Sequence, residues 1–125
     1  MAAKRFDANV RTEANVAVID LEGDVDGDSE EALNAAYGEA RAKNPSTILL
    51  NFREVEYINS TGIALIVGLL AEARKAHQSV VASGLSDHYR EIFQITRLVD
   101  FMGIYPDEET ALAESPTATE TREER

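Results

Sequence analysis

Two adjacent hydroxyls stand at the head of a long apolar stretch, Asn59-Ser60-Thr61-Gly62-Ile63-Ala64-Leu65-Ile66-Val67-Gly68-Leu69-Leu70. Such a run reads as the opening of a helix. The first N–H groups of a helix lack intrahelical partners, and its dipole leaves partial positive charge there. A phosphate carried on Ser60 or Thr61 would therefore be well placed. The same N–H groups give the hydroxyls a plainer use, because Ser and Thr are preferred N-caps. Two readings stand at this point: a helix cap, or a hydroxyl that can be modified.

Other chemistry finds little support. A nucleophilic Ser60 would want the strained G-x-S-x-G turn and a nearby base, and Asn59-Ser60-Thr61-Gly62 lacks the leading glycine. No phosphate-cradling G-x-x-x-x-G-K or G-x-G-x-x-G occurs. Gly23-Asp24-Val25-Asp26-Gly27-Asp28 alternates acids as a calcium loop does, yet counting from Asp24 puts Ser29 where the loop needs glycine and Ala35 where it needs a bidentate glutamate. It reads as a turn and helix cap, helped by the left-handed tolerance of Gly and Asp. A two-His metal site would need converging carboxylates, and neither His77 nor His88 sits in an i, i+4 pair with one; His77 suits the negative end of a helix dipole. The expectation is no enzyme: no catalytic residue, no metal ligand and no cofactor.

The elements that would position Ser60 follow from periodicity. Residues 5–22 read as a hairpin turning near Thr12–Asn15, with Val16-Ala17-Val18-Ile19-Asp20-Leu21 as its half-buried second strand. Asp28 or Ser29 is placed to cap a helix in which Leu33, Ala36, Tyr37 and Ala40 recur at three- and four-residue spacing, and Pro45 ends it. Ile48-Leu49-Leu50 is too apolar for a strand with one wet face and lies between helices, which predicts a central strand with parallel crossovers. The helix after it should run from Ser60 or Thr61 to His77. Its first half is apolar all round, so one side must lie on the sheet and the remainder must face another helix or a partner. Ser79–Ala82 reads as a fourth strand. A third helix follows, capped by Ser86 or Asp87, with Leu85, Tyr89, Ile92, Phe93 and Leu98 inward. After the extended Gly103-Ile104-Tyr105, Pro106-Asp107-Glu108-Glu109 suits a helix start with proline first and acids in the opening turn.

With 125 residues, 44% of them apolar, the chain predicts one domain over residues 1–113 and a disordered acidic tail over 114–125. The lack of cysteine removes disulfides and thiolate chemistry. No apolar run reaches membrane-spanning length and none follows the N-terminal charges, so the expected location is the cytoplasm, without membrane insertion. The formal charge is −11, of which −5 falls from Asp107 onward and −6 before it. Scattered basic residues in an acidic chain argue against nucleic acid and for a partner with a basic surface.

Taken in order, these segments resemble the STAS domain, and within it the bacterial anti-sigma factor antagonists (anti-anti-sigma factors). The resemblance rests on Leu21-Glu22-Gly23-Asp24-Val25-Asp26, the helix from about Ser29, Thr47-Ile48-Leu49-Leu50-Asn51-Phe52, Asn59-Ser60-Thr61-Gly62, Ser79-Val80-Val81-Ala82 and Tyr89-Arg90-Glu91-Ile92-Phe93-Gln94-Ile95-Thr96, and it spans most of the chain. It implies an α/β fold with a four- to five-stranded mixed sheet and helices mainly on one face. It also implies partner switching: the unmodified protein binds an anti-sigma factor that is also a serine kinase, and is released on phosphorylation. ATP would belong to the kinase. By the same resemblance the modified residue is Ser60, with Thr61 the second choice, and the partner surface comprises Asp26, Asn59, Ser60, Thr61, Gly62 and Ile63. Asn59 stands where that family usually has aspartate. An alternative consistent with this departure is a STAS scaffold or regulatory subunit, stressosome-like or transporter-associated, without a phosphate cycle. A homo-oligomer is compatible with either reading.

Overall fold

The computed structural model describes residues 5–114. In chain order the elements are β1 (Asp7–Glu13), β2 (Val16–Val25), α1 (Glu30–Ala42), β3 (Thr47–Ile58), α2 (Ser60–Lys75), β4 (Ser79–Ser83), α3 (Asp87–Ile95), β5 (Gly103–Tyr105) and α4 (Glu108–Glu114). One sheet runs β1-β2-β3-β4-β5; β1 and β2 form an antiparallel hairpin and every other pairing is parallel.

The period-two alternation along the central strands sorts their side chains onto two faces. Ala17, Ile19, Leu21, Ile48, Leu50 and Phe52 join Leu33, Tyr37, Ile66, Leu69 and Phe93 in the main core, beneath α1, α2 and α3. Val16, Val18, Leu49 and Val81 point the other way, into a smaller core closed by Ala111 of α4 with Tyr105 and Leu112. This explains why Ile48-Leu49-Leu50 carries no polar residue: both faces of the central strand are covered.

On that second face α4 is also held by charge. Arg11 donates through Nε and Nη2 to the two Asp20 carboxylate oxygens at 2.6 and 3.0 Å, and through Nη1 to Glu108 at 2.9 Å. The Arg11 guanidinium holds the Asp20 carboxyl below its ordinary 3.8; partial burial opposes this, and the Asn51 side-chain amide, donating at 2.7 Å, adds to it.

Several boundaries differ from those expected. The acidic segment is not a turn throughout: β2 continues through Gly23-Asp24-Val25, with a shift in its register against β3 between Gly23 and Asp24. Gly23 sits at φ +92°, and a Cβ there would fall 2.2 Å from the Arg5 carbonyl oxygen, so glycine answers both the backbone and the crowding. Ser29 holds the N-cap position of α1 as expected but makes no side-chain cap bond there; the capping bonds lie one turn earlier. Asp26 accepts from the Asp28 amide at 2.9 Å and donates its own amide to Ser29 Oγ at 3.0 Å, opening a 3₁₀ turn over Gly27–Ser29 that leads into α1. At the last helix Asp107 caps, accepting from the Thr110 amide at 2.8 Å, so Pro106 precedes the cap instead of occupying the first turn. Glu114 is still helical, which places the expected boundary at 113 one residue inside α4; the remainder of the expected tail, 115–125, lies outside the described residues, as do residues 1–4.

His77 has a role beyond the dipole. It stands at φ +59° just past α2, where its amide donates to Arg74 O at 3.0 Å and that of Gln78 donates to Ala73 O at 2.9 Å. These are the two bonds of a Schellman helix ending, built here on a non-glycine residue.

Candidate functional site

Parallel strands β2 and β3 end side by side, with Val25 opposite Ile58, and the chain turns from each into a helical segment. The two ends are tied together: the Asn59 amide donates to the Val25 carbonyl at 3.1 Å. From that anchor Asn59, in extended backbone geometry, caps α2 by accepting from the Gly62 amide at 2.8 Å through Oδ1, while its carbonyl accepts from Ile63 at 2.9 Å. The cap is thus Asn59, and neither hydroxyl is used for it. Ser60 and Thr61 are the first two helical residues and both are exposed.

Gly62 explains how the turn can be so tight. It is buried, and a Cβ on it would lie 2.2 Å from the Val25 carbonyl oxygen and 3.0 Å from Ile58 Cγ2. No side chain fits between α2 and the end of β2. Gly62 therefore serves by permitting this approach, and Ile63 is half-buried against the main core. Of the residues expected to meet a partner, Ser60 and Thr61 face outward, Asn59 and Asp26 are partly exposed, and Gly62 and Ile63 lie behind them. Asp26 comes close through its own 3₁₀ turn, since a Cβ on Gly27 would sit 3.7 Å from Thr61 Cγ2.

Two further residues, read from the sequence as a cap candidate and a core residue, set this geometry through hydrogen bonds that no local pattern announces. Ser29 is fully buried, its Oγ donating to Asp24 O at 3.1 Å while accepting from Asp26, so it closes the turn beside Thr61. Tyr89 reaches from α3 to accept the Ile58 amide at 2.9 Å in the interior. That amide lies past the end of β4, whose last pairing is Asn51 with Ser83, so the tyrosine hydroxyl takes the place of a strand.

The electrostatics are unusual for so acidic a chain. The first turns of α1, α3 and α4 carry Glu30 and Glu31, Asp87, and Glu108 and Glu109. The first turn of α2 carries no acid. Its N-terminal partial charge is met only by a neutral amide cap. Nothing at this site assembles metal chemistry: among the described residues no three His, Asp or Glu side chains converge as ligands. No helix among them is long and apolar enough to cross a membrane.

Residues 8–104 match the family model described as "Mlab, STAS domain". Among curated proteins the chain is similar to the anti-sigma-B factor antagonist of Listeria monocytogenes, 29% identical over 82 residues that cover 66% of this chain and 72% of that protein. It is also similar to the Staphylococcus aureus anti-sigma-B factor antagonist, 35% identical over 57 residues, or 46% and 53% of the two chains. Among solved structures, an anti-sigma factor antagonist from Mycobacterium paratuberculosis superposes with a TM-score of 0.71 at 24% identity, covering 87% of this chain and 92% of that one. The Bacillus cell fate determinant SpoIIAA in its phosphorylated form gives 0.67 at 24% identity, covering 90% and 100%. A sulfate transporter family protein from Wolinella succinogenes gives 0.71 at 18% identity, covering 82% and 86%. These superpositions concern the fold, a five-stranded mixed sheet with its helices chiefly on one face, and the family match extends over most of the chain: this protein belongs to the STAS domain family.

Proposed function

We propose that this protein is an anti-sigma factor antagonist that works by partner switching, with Ser60 as the phosphorylated residue. The observation that carries this reading is that Asn59 takes the cap, leaving the Ser60 hydroxyl exposed on a helix start with no acid in its first turn. A phosphate there gains the helix dipole and so need not unravel α2. Its effect falls on whatever packs against the site. It adds about −1.5 to −2 charges and strong acceptor oxygens to a surface that, unmodified, offers a neutral hydroxyl and the Thr61 methyl. The partner in this scheme is an anti-sigma factor with serine kinase activity, and ATP is held by that partner. The names of the curated relatives support the same role.

A titration tests the switch. The unmodified protein should bind an anti-sigma factor of the kinase type, Ser60→Ala should bind comparably, and Ser60→Asp should bind about tenfold more weakly or worse, because a desolvated unpaired anion is costly at an interface. Asn59→Asp should raise the rate of phosphate incorporation, with its carboxylate orienting the neighbouring hydroxyl.

Asn59 favours a second reading. A neutral residue at the family's usual aspartate position suits constitutive assembly, as a scaffold or as a regulatory subunit beside a transporter, and one fold neighbour is a transporter family protein. Unchanged binding by Ser60→Asp would select this reading.

A further inference from the structure

A groove of about 810 Å³ lies between the outer side of α2 and the chain connecting α3 to β5. Its floor includes Leu70, Val80, Leu98 and Met102, all buried core residues. Its rims carry Val67 and Phe101, large apolar side chains that remain 45% and 58% exposed. Size and lining fall in the range of small-molecule sites, roughly 300–1,000 Å³ and mostly apolar.

The charged lining residues are Arg74 and Asp100. Asp100 is already engaged, accepting from Arg97 Nε at 2.8 Å. Two of the neutral polar side chains are engaged within the fold: Gln78 Nε2 donates to Pro45 O at 3.2 Å, leaving its buried Oε1 without a partner, and Thr96 Oγ1 donates to Ile92 O at 2.8 Å. Arg74 differs. Its guanidinium lies over the Phe101 ring, 5.8 Å from the centroid, and among the described residues no carboxylate pairs with it. The groove therefore combines a broad apolar surface with one cation that lacks an anion.

A planar guanidinium pairs bidentately with a carboxylate. A single cation in a chain of formal charge −11 selects against dianions and polyanions, and an apolar floor selects for an apolar body. We propose that this groove binds a small apolar monocarboxylate, its anion paired with Arg74 and its body lying between Val67 and Phe101 over Leu98 and Met102. The site is separate from the switch, since Val67 stands seven residues beyond Ser60, about 10 Å along the helix.

Octanoate, with octanol as its uncharged counterpart, tests this on the isotope-labelled full chain. Octanoate should give saturable amide shifts centred on Ala71, Ser79 and Phe101, with an affinity about tenfold above that of octanol, the scale of a charge-assisted pair. Arg74→Gln should lower octanoate to the octanol level, and Val67→Asp should weaken both. Arg74 and Val67 are exposed, so both variants should keep the wild-type spectrum outside the groove. The proposal is overturned by the absence of saturable shifts into the millimolar range, by shifts centred elsewhere, or by Arg74→Gln binding octanoate as the wild type does.

Discussion

The starts of α2 and α4 solve the same physical problem in opposite ways. At α4 the positive end of the helix is saturated: Asp107 caps it, Glu108 and Glu109 occupy the first turn, and Arg11 fastens Glu108 to Asp20 across the sheet. At α2 the cap is a neutral amide, the first turn has no acid, and two exposed hydroxyls occupy its first positions. In a chain of formal charge −11, acids are plentiful enough to fill every helix start. One domain thus holds a filled helix start that acts as a structural latch and an open one where, on the proposed reading, the phosphate is added.

The largest expected effect concerns the packing that holds the open end in place. Ile66 is 1% exposed in the main core, so Ile66→Asp buries an unpaired carboxylate and should cost roughly 3–5 kcal/mol, read as loss of cooperative unfolding or a collapse of the melting temperature. Next comes Gly62→Ala. The added methyl would drive α2 away from the Val25 carbonyl, at roughly 2–3 kcal/mol, and should damage partner binding in any molecules that remain folded.

The latch should be weaker, because its groups are partly solvated: Arg11→Met is expected to cost roughly 1 kcal/mol after screening. Its pH dependence has a definite sign. The Asp20 carboxyl is held below 3.8 when folded, so its contribution is present above the unfolded value and is lost as pH falls through the folded one. Acid unfolding of the wild type should therefore steepen below about pH 4, and Arg11→Met should flatten that limb.

The open end offers a finer discrimination. Asn59→Ala removes the cap and should cost about 1 kcal/mol, whereas Ser60→Ala should stay within about 0.5 kcal/mol of wild type in chemical denaturation, because its hydroxyl caps nothing. The reverse order would return the cap to the serine. Opposite in sign, His77→Gly should raise stability by up to about 1 kcal/mol by relieving the left-handed backbone at the far end of α2.

Much of this arrangement was legible in the residues. Alternation and helical spacing are local signals, and they place the hairpin, the central strand and the inward faces of α1 and α3 correctly. Capping was less legible, since Asn59, Ser60 and Thr61 are all good cap residues and only the backbone turn after β3 decides among them. The acidic segment misled for a related reason: Gly and Asp favour turns, but pairing with Val55, Tyr57 and Ile58 of β3 keeps Gly23-Asp24-Val25 in the sheet. Contacts between distant residues left no mark. Arg11 and Glu108 are 97 positions apart, and Tyr89 is 31 from the amide it holds, so nothing in either neighbourhood announces the pairing.

On the proposed reading, the hydroxyl at the open end of α2 is the one modified. Incubation of the full chain with ATP and an anti-sigma factor of the kinase type, followed by mass mapping of its peptides, tests this directly. A single phosphate is expected on Ser60, absent from Ser60→Ala. Phosphate confined to Thr61 or to another element, or no incorporation by any kinase of that type, would contradict it.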